Sequence, residues 1–476
     1  MATNEVASGM STVGESARKG GFFGHPRGVG YIVFTEAWER FSFYGMQGLL
    51  VLYMAGYLFQ AEAAQNVVGF ETMRATIEAV TGPLSPQALA TQVFGIYIGL
   101  VYFVPVFGGL LGDRVLGRTR AVLLGAAAMA LGHFLLAFEA SFVFALLAII
   151  TGSGLLKGNL AAQVGALYER DDPRRDAGYS LYVVSINVGA TIAPLVCGTL
   201  GEIYGWHYGF GAAGVGMLVG IVVYLKGRAH LPADELAKDR GQDRHLRAGE
   251  GRIVWTIVVV LAITALFWTA QTQVWNTYPL WVRDRVDRAV LDATVPVTWF
   301  QSLDTLAVLL FAPVVLWLWR RQRAAGSEPG DLGKLAIGCL IFACACAWLS
   351  GAEWASGGEA VAIGWPLLFH GICAWGYLYV GPVALALVSR AAPLSVNAMM
   401  VGAYYVAIFV GSIASGWLGR FYETLSPAMF WAAHAAIVST GALLLLLGRG
   451  RLARGMALDA EAGEQRAAGA SVRQPA

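Results

Sequence analysis

Long apolar runs alternate with short polar segments along almost the whole chain of 476 residues. A helix needs about 20 mostly apolar residues to cross a bilayer, and the runs have about that length. The pattern therefore predicts twelve transmembrane helices, six on each side of the polar segment 227–252. They are 29–57, 91–112, 119–137, 141–167, 177–203 and 206–226, then 253–283, 295–319, 332–351, 361–389, 397–419 and 428–448.

The polar segments define the predicted organisation. Segment 227–252 is too rich in charge to cross a membrane, so we interpret it as a cytoplasmic linker between two bundles, 28–226 and 253–448. Segment 1–27 has no apolar core of signal-peptide length and is expected to be a cytoplasmic tail. Segment 449–476 is rich in Ala and Gly and is expected to be a disordered cytoplasmic tail. The fold class is thus an all-α membrane protein.

Positive residues orient the predicted helices. They concentrate in alternate loops, in the linker and near the termini, and the positive-inside rule places these parts of the chain in the cytoplasm. One cluster after the seventh span is an exception. Between the first two spans, GFETMRATIEAV has helical spacing and predicts a short extracellular helix. The cytoplasmic positives are Arg114, Arg118, Arg120, Arg170, Arg174, Arg175, Arg320, Arg321 and Arg323, and the exception is Arg283, Arg285 and Arg288.

Composition agrees with a chain whose main solvent is lipid. Hydrophobic residues make up 57% and charged residues 13%, and that charged share is roughly half the usual value for soluble domains. The net charge of +2 gives no basis for nucleic-acid binding. The five cysteines lie in apolar runs without histidines at metal-ligand spacing, so we interpret them as packing residues. We expect no cofactor other than a proton gradient.

The first span carries three charged residues, Glu36, Glu39 and Arg40. Each charge near a bilayer centre costs about 2.5–3.5 kcal/mol on insertion scales, so the three are expected to face protein, water or each other. At about 100° per residue they share one arc with Phe43, and Tyr44 lies at its edge. Glu36 and Arg40 are four residues apart and can pair. The spacing predicts a charged face, which serves either proton coupling or only the packing of neighbouring helices.

A buried carboxylate beside a cation is suited to proton exchange. Desolvation and the Arg40 charge act on it in opposite directions, and together they can hold it in a titratable range. Lys157 lies within the fourth span. With Glu36, Glu39, Arg40 and Lys157 ionised the charges cancel, and protonating one glutamate leaves a net charge of +1. That charge favours an anionic substrate group such as a peptide carboxylate. The alternative is that the aliphatic stem of Lys157 only carries its ammonium group to the cytoplasmic membrane interface.

Several segments resemble one family. Glu36-Ala-Trp-Glu39-Arg40-Phe41-Ser-Phe43-Tyr44-Gly45 resembles the ExxERFxYYG signature of the proton-dependent oligopeptide transporters, the POT branch of the major facilitator superfamily. Phe43 replaces the first tyrosine. GLLKGNL around Lys157 resembles LFKPN with Gly158 for proline, segment 171–198 resembles a second long signature, and WFQSLD at 299–304 resembles WFQSLN. The resemblance runs from about Gly30 to the last span.

The resemblance implies the major facilitator fold, alternating access and a set of substrate contacts. By analogy Tyr44, Tyr102, Lys157 and Asn187 bind substrate beside Arg40, and so does Gln273, which matches a family position in the seventh span. For the tyrosines and Asn187, ordinary packing is the alternative. Segment 108–118 resembles the loop motif between the second and third spans. The implied gating residues of that loop are Asp113, Arg114 and Arg118.

The chain departs from the family in its second half. Thr272 and Tyr377 stand where relatives carry glutamates, and Asp304 is a carboxylate near the midplane, about 13 Å into its span at about 1.5 Å per residue. We predict that Asp304 supplies the negative pole for a cationic substrate group, opposite Arg40 and Lys157. The alternative is a protonated aspartate hydrogen-bonded between helices. The span histidines His133, His370 and His434 are interpreted as packing residues.

These observations predict a proton-coupled symporter of di- and tripeptides, monomeric, in the bacterial inner membrane with both termini in the cytoplasm. Its expected partners are a small-molecule substrate, protons and the lipid bilayer. An alternative keeps the proton chemistry but carries a peptide-like antibiotic or metabolite, or exports it. A third is a sensor or scaffold without transport, which would not need charges at the midplane. An enzyme is not expected, because we find no nucleophile and base pairing and no phosphate-binding loop near a span end.

Overall fold

The computed structural model describes residues 21–169, 171–234, 236, 246–247 and 249–456. Within these ranges the protein is almost entirely helical, and the strands found there are a two-residue pair, β1 Ala289–Val290 and β2 Ala293–Thr294. The all-α prediction is confirmed. Segments 1–20 and 457–476 of the predicted tails, and residues 235, 237–245 and 248 of the predicted linker, lie outside the described residues.

The first half of the chain contains nine helices among the described residues. Three of them pass into π-helical turns, at Met54–Leu58 after α1, at Gly112–Leu116 after α5, and at Pro194–Gly198 and Leu200–Tyr204 after α8. The short helix predicted at GFETMRATIEAV is present as α3, and its extracellular location stays a prediction. The helices are α1 Arg27–Tyr53, α2 Ala61–Ala64, α3 Phe70–Thr81, α4 Pro86–Phe103, α5 Pro105–Leu111, α6 Arg118–Leu135, α7 Phe142–Ala166, α8 Arg175–Ala193 and α9 Trp206–Gly227.

The second half contains seven further helices in the described part of the chain. The predicted seventh span is interrupted at 274–276, so that it forms two helices. The last helix runs past the predicted end of its span, and residues 449–455, assigned to a disordered tail, are helical because Leu452 and Met456 still find buried positions. The helices are α10 Glu250–Gln273, α11 Thr277–Arg285, α12 Val297–Ala324, α13 Asp331–Ser356, α14 Gly364–Ala391, α15 Asn397–Gly419 and α16 Pro427–Gly455.

Ten helical stretches among the described residues are long and apolar enough to cross a membrane. Two more long helices complete the twelve that the hydropathy pattern predicts. One is α1, which carries the three charged residues, and the other is α6, which begins with Arg118 and Arg120. The protein is therefore a multi-pass membrane protein.

By its internal contacts the chain divides into two compact units. The first unit comprises Met1–Met46 and Val104–Lys238, and the second comprises Gln47–Phe103 and Asp239–Ala476. The boundary falls within α1 and again between α4 and α5. The division of the spans into two six-helix bundles stays a prediction.

Glycines bring the helices of the first unit close together. A methyl group added at Gly125 of α6 would lie 2.6 Å from the carbonyl oxygen of Gly152 on α7, and the reverse holds as well. Gly189 of α8 abuts the backbone of Ala37 on α1, and Gly216 of α9 abuts the Phe41 ring on the same helix. Lipid provides little hydrophobic force between helices, so small residues that allow close packing supply much of the association. These contacts fix α1 against α8 and α9.

In the second unit, α11 is held by aromatic packing and one buried ion pair. Tyr278 stacks on Phe369 with ring centroids 4.9 Å apart. The indole of Trp281 donates to Glu353 on α13 at 2.6 Å, and Arg285 pairs with the same carboxylate at 3.0 Å. A buried carboxylate needs such partners because a bare charge is expensive in the interior. The broken seventh span is therefore anchored at its C-terminal end.

A second charge network closes the turn between α12 and α13. The Glu328 carboxylate accepts hydrogen bonds from Arg323 at 2.6 Å and from Lys334 at 2.6 Å, and these partners lower its pKa to about 2. The folded-state pKa is depressed, so the stabilisation is present above the ordinary glutamate range and is lost as pH falls toward about 2. The Glu328 carboxylate therefore stays ionised, and able to pair with both cations, throughout the physiological pH range.

The glycine crossing of α6 and α7 makes a testable stability prediction. Replacing Gly152→Val forces the two backbones apart, and overpacking of this kind costs about 1–3 kcal/mol. We expect the purified variant to melt several degrees below the wild type in detergent. Gly211→Val on α9, where an added side chain meets nothing within 4 Å, is the matched control. Equal melting temperatures for the two variants would contradict this packing account.

Candidate functional site

Helix α1 carries three ionisable side chains into the interior of the first unit. Glu36 and Glu39 are 0% exposed, and Arg40 is 8% exposed. The Arg40 Nε atom lies 2.8 Å from Glu36 Oε1 and also forms an ion pair with Glu39. Glu36, Glu39 and Arg40 therefore lie on one face of α1, as the helical spacing predicts. The single Arg40 guanidinium is paired with both carboxylates.

Lys157 on α7 joins this group through an aromatic ring. Its Nζ atom lies 4.1 Å from the centroid of the Phe43 ring, and the Arg40 guanidinium carbon lies 5.6 Å from the same centroid. Lys157 also interacts electrostatically with Glu36, Glu39 and Arg40. Both cations can interact with the electron-rich ring of Phe43. We call Glu36, Glu39, Arg40 and Lys157 the charge cluster.

Tyr182 on α8 is a member of the site that the sequence did not reveal. Its hydroxyl donates to Glu36 Oε2 at 2.8 Å, so Glu36 is held from both sides, by Arg40 and by Tyr182. The sequence does contain one indication of its position. Tyr182 and Gly189 are seven residues apart, so both lie on the same face of α8. A buried tyrosine usually finds a hydrogen-bond partner. Which partner it finds depends on packing between α8 and α1.

The charge cluster is neutral when all four of its members are ionised. Two carboxylates face two cations, which meets the requirement that buried charges be paired. Adding one proton to a carboxylate changes the net charge of the cluster to +1. The arrangement can therefore exchange a proton and, once protonated, attract an anionic group.

The other predicted substrate contacts of the first unit are Tyr44 and Asn187. The Tyr44 ring packs edge-on against Phe43 with centroids 5.3 Å apart, and Tyr44 interacts electrostatically with Arg40. Asn187 is half-buried on α8, and its Nδ2 atom donates to the carbonyl of Val183 at 2.9 Å. Tyr44 thus adjoins the charge cluster, whereas the Asn187 amide is bonded to its own helix.

The predicted gating loop joins α5 to α6. Arg118 pairs with Asp113 at 2.9 Å across the turn, and Arg114 is exposed. Asp234 of the predicted linker accepts hydrogen bonds from the backbone N–H of Thr119 at 3.0 Å and from its hydroxyl at 3.1 Å. A carboxylate at a helix start satisfies free N–H groups and matches the helix dipole. The sequence could not show this cap, because the residues are 115 positions apart.

Asp304 on α12 is the corresponding carboxylate of the second unit. It is 8% exposed, and Trp275 donates to its Oδ2 atom at 3.1 Å. The Nδ1 atom of His370 lies 3.9 Å from its Oδ1 atom. Tyr377 of the same unit interacts electrostatically with Asp304 and with Tyr102. The structure thus gathers Asp304, Tyr102 and Tyr377 in one region of the second unit.

Gln273, by contrast, has all its polar groups occupied inside the second unit. It is 0% exposed, and its Nε2 atom donates to the Ser415 carbonyl at 3.0 Å and lies 3.0 Å from His434 Nε2. Its Oε1 atom accepts from the backbone N–H of Thr277 at 3.3 Å. The side chain that the resemblance placed among the substrate contacts is located here as a bridge between α10, α15 and α16.

Comparison with known proteins identifies the family. The model described as PTR2, POT family, matches residues 119–244 and 243–432. A peptide transporter of Yersinia enterocolitica, YePEPT, is 30% identical to the chain, over 90% of the chain and 94% of the relative.

Solved structures agree with the family match. A mutant peptide transporter POT in complex with alafosfalin superposes with a TM-score of 0.81 at 28% identity, covering 94% of this chain and 99% of that one. A POT family transporter in complex with 5-aminolevulinic acid gives a TM-score of 0.78 at 25% identity, covering 92% and 99%. Both neighbours support the major facilitator fold expected from the sequence. The chain is a member of the POT family of membrane transporters.

Proposed function

We propose that this transporter is a proton-coupled symporter that takes up di- and tripeptides or peptide-like compounds by alternating access. The observation that carries the proposal is the buried charge cluster, in which Glu36, Glu39 and Arg40 of one membrane helix are balanced by Lys157 of another. The names of the relatives, a peptide transporter and complexes with alafosfalin and 5-aminolevulinic acid, support the cargo. We place the protein in a bacterial inner membrane with both termini in the cytoplasm.

The first step of the proposed mechanism is proton uptake at the charge cluster. Glu39 shares Arg40 with Glu36, which has the Tyr182 hydroxyl as a second partner. Glu39 is thus the carboxylate with less hydrogen-bond support, and we assign the exchangeable proton to it. Protonation leaves Arg40 and Lys157 with one uncompensated positive charge.

The second step is recognition of the two ends of the substrate. The positive charge of Arg40 and Lys157 attracts the carboxylate, and Asp304 attracts the ammonium group. Binding an anion restores neutrality to the protonated cluster, so proton and substrate favour each other. Tyr44, Tyr102 and Asn187 are proposed as further contacts because they match family positions.

A narrower cargo is the second candidate, and one observation favours it. Thr272 stands at a family glutamate position, and its hydroxyl oxygen lies 3.2 Å from that of Ser412, within hydrogen-bond distance. Tyr377, a phenol, stands at the other family glutamate position. Fewer carboxylates leave the second unit with fewer ways to hold a cationic group. Competition of dialanine uptake by a panel of dipeptides, alafosfalin and 5-aminolevulinic acid separates a broad peptide carrier from a selective one.

Glu39→Gln tests the coupling. The amide mimics a permanently protonated carboxyl, so the variant should lose uptake of dialanine driven by a pH gradient. Loss of a proton-transfer group typically costs at least about a hundredfold, and we expect an effect of that order in proteoliposomes. Exchange of dialanine without a gradient should persist, because it needs no net proton transfer.

The matched control is Glu353→Gln, which also alters a buried glutamate paired with an arginine but lies outside the charge cluster. It should retain gradient-driven uptake once corrected for the amount of folded protein. Unchanged gradient-driven uptake in Glu39→Gln would remove Glu39 from the coupling mechanism.

A further inference from the structure

His370 on α14 is a buried histidine whose ring nitrogens both lack a hydrogen-bond partner among the residues that the structure describes. Its side chain is 1% exposed. His434 on α16 shows the opposite arrangement, with Nδ1 2.8 Å from the Phe430 carbonyl and Nε2 3.0 Å from Gln273. His434 is thus the packing residue that the sequence predicted, whereas His370 needs another explanation, because buried polar atoms are normally bonded.

Asp304 is the charged group beside His370. The distance of 3.9 Å between Nδ1 and Oδ1 is too long for a hydrogen bond but within reach of an ion pair. Trp275 holds the other carboxylate oxygen at 3.1 Å and so fixes the orientation of the carboxylate. Oδ1 is left facing the imidazole.

The titratable groups around this pair are neutral at neutral pH. Tyr278 of α11 packs edge-on against the His370 ring at 5.1 Å and interacts electrostatically with Asp304. From α14, Cys373 and Tyr377 interact with Asp304, and Cys346 of α13 adjoins Cys373. Phenols and thiols stay protonated below about pH 8. A proton on the imidazole would therefore meet the Asp304 carboxylate as its counter-ion.

We propose that His370 is a proton-operated counter-ion that switches Asp304 between a free and a paired carboxylate. Imidazole is the side chain whose charge changes in the physiological range. While His370 is neutral, Asp304 is available to a substrate ammonium group. When His370 takes a proton, the imidazolium pairs with Asp304 and cancels its charge, and the ammonium group loses its partner. The inference rests on the proposed role of Asp304 in binding that group.

The switch gives protons two opposite effects on one substrate. A proton on the charge cluster adds positive charge for the substrate carboxylate, whereas a proton on His370 removes negative charge from the ammonium site. Acid therefore promotes binding through the first unit and release of the amine through the second. The affinity for a zwitterionic peptide should pass through a maximum and fall on the acidic side.

The test is the dissociation constant of dialanine measured between about pH 5 and 7 on purified protein, where dialanine keeps both charges. Wild type should bind roughly tenfold more weakly at the acidic end than at its optimum, which is the loss per pH unit when binding requires one group to be unprotonated. His370→Gln should remove this acidic decline. His133→Gln is the matched control, since His133 is also 0% exposed with both ring nitrogens unpartnered, but belongs to the first unit. It should keep the decline.

Two further measurements distinguish an error in the role of Asp304 from an error in the role of His370. N-acetyl-dialanine lacks the ammonium group, so its binding to the wild type should show no acidic decline, and this arm needs no variant. Asp304→Asn should bind dialanine weakly at every pH. Undiminished dialanine binding by Asp304→Asn would overturn the proposed role of Asp304. Weak binding by that variant, combined with a persistent decline in His370→Gln or with N-acetyl-dialanine, would overturn the role of His370 alone.

Discussion

The pairing of Arg40 with two carboxylates on its own helix is the constraint on which the first unit depends. One guanidinium cannot neutralise both Glu36 and Glu39, so a second cation has to come from another helix. Lys157 meets that need only if α1 and α7 are held close, and Tyr182 secures Glu36 only if α8 lies against α1. The contact of Gly189 with the backbone of Ala37 allows this close approach of α8 to α1. A site that is neutral as a whole becomes sensitive to a single proton.

The second unit also buries a carboxylate, but it surrounds that carboxylate with different groups. Asp304, one of its buried carboxylates, has an indole and an imidazole as neighbours, whereas the carboxylates of the charge cluster have Arg40 and Lys157. Thr272 and Gln273, which immediately precede the break in the seventh span, are bonded to α15 and α16 through neutral groups. The family resemblance alone would place more charge here. In the proposed switch, His370 controls whether Asp304 is free to bind a cationic group.

The sequence predicted the helices and the α1 charges well, because both follow from local rules. Apolar run length gives the spans, and helical spacing puts Glu36, Glu39 and Arg40 on one face. Contacts between distant segments were not predictable in the same way. The Asp234 cap on α6 joins residues far apart in the chain, and the hydrogen bonds of Gln273 depend on how three helices meet. The extension of α16 was not predicted, because the polar composition of this segment gave no indication that Leu452 and Met456 are buried.

The proposed mechanism requires protons and substrate to move together, because one proton changes the net charge of the buried charge cluster. The decisive measurement is the internal pH of proteoliposomes, with no imposed pH gradient and the membrane voltage set negative inside, when dialanine is added outside. The account predicts acidification of the interior that starts with the peptide and scales with its uptake. Accumulation of dialanine without proton entry would contradict it.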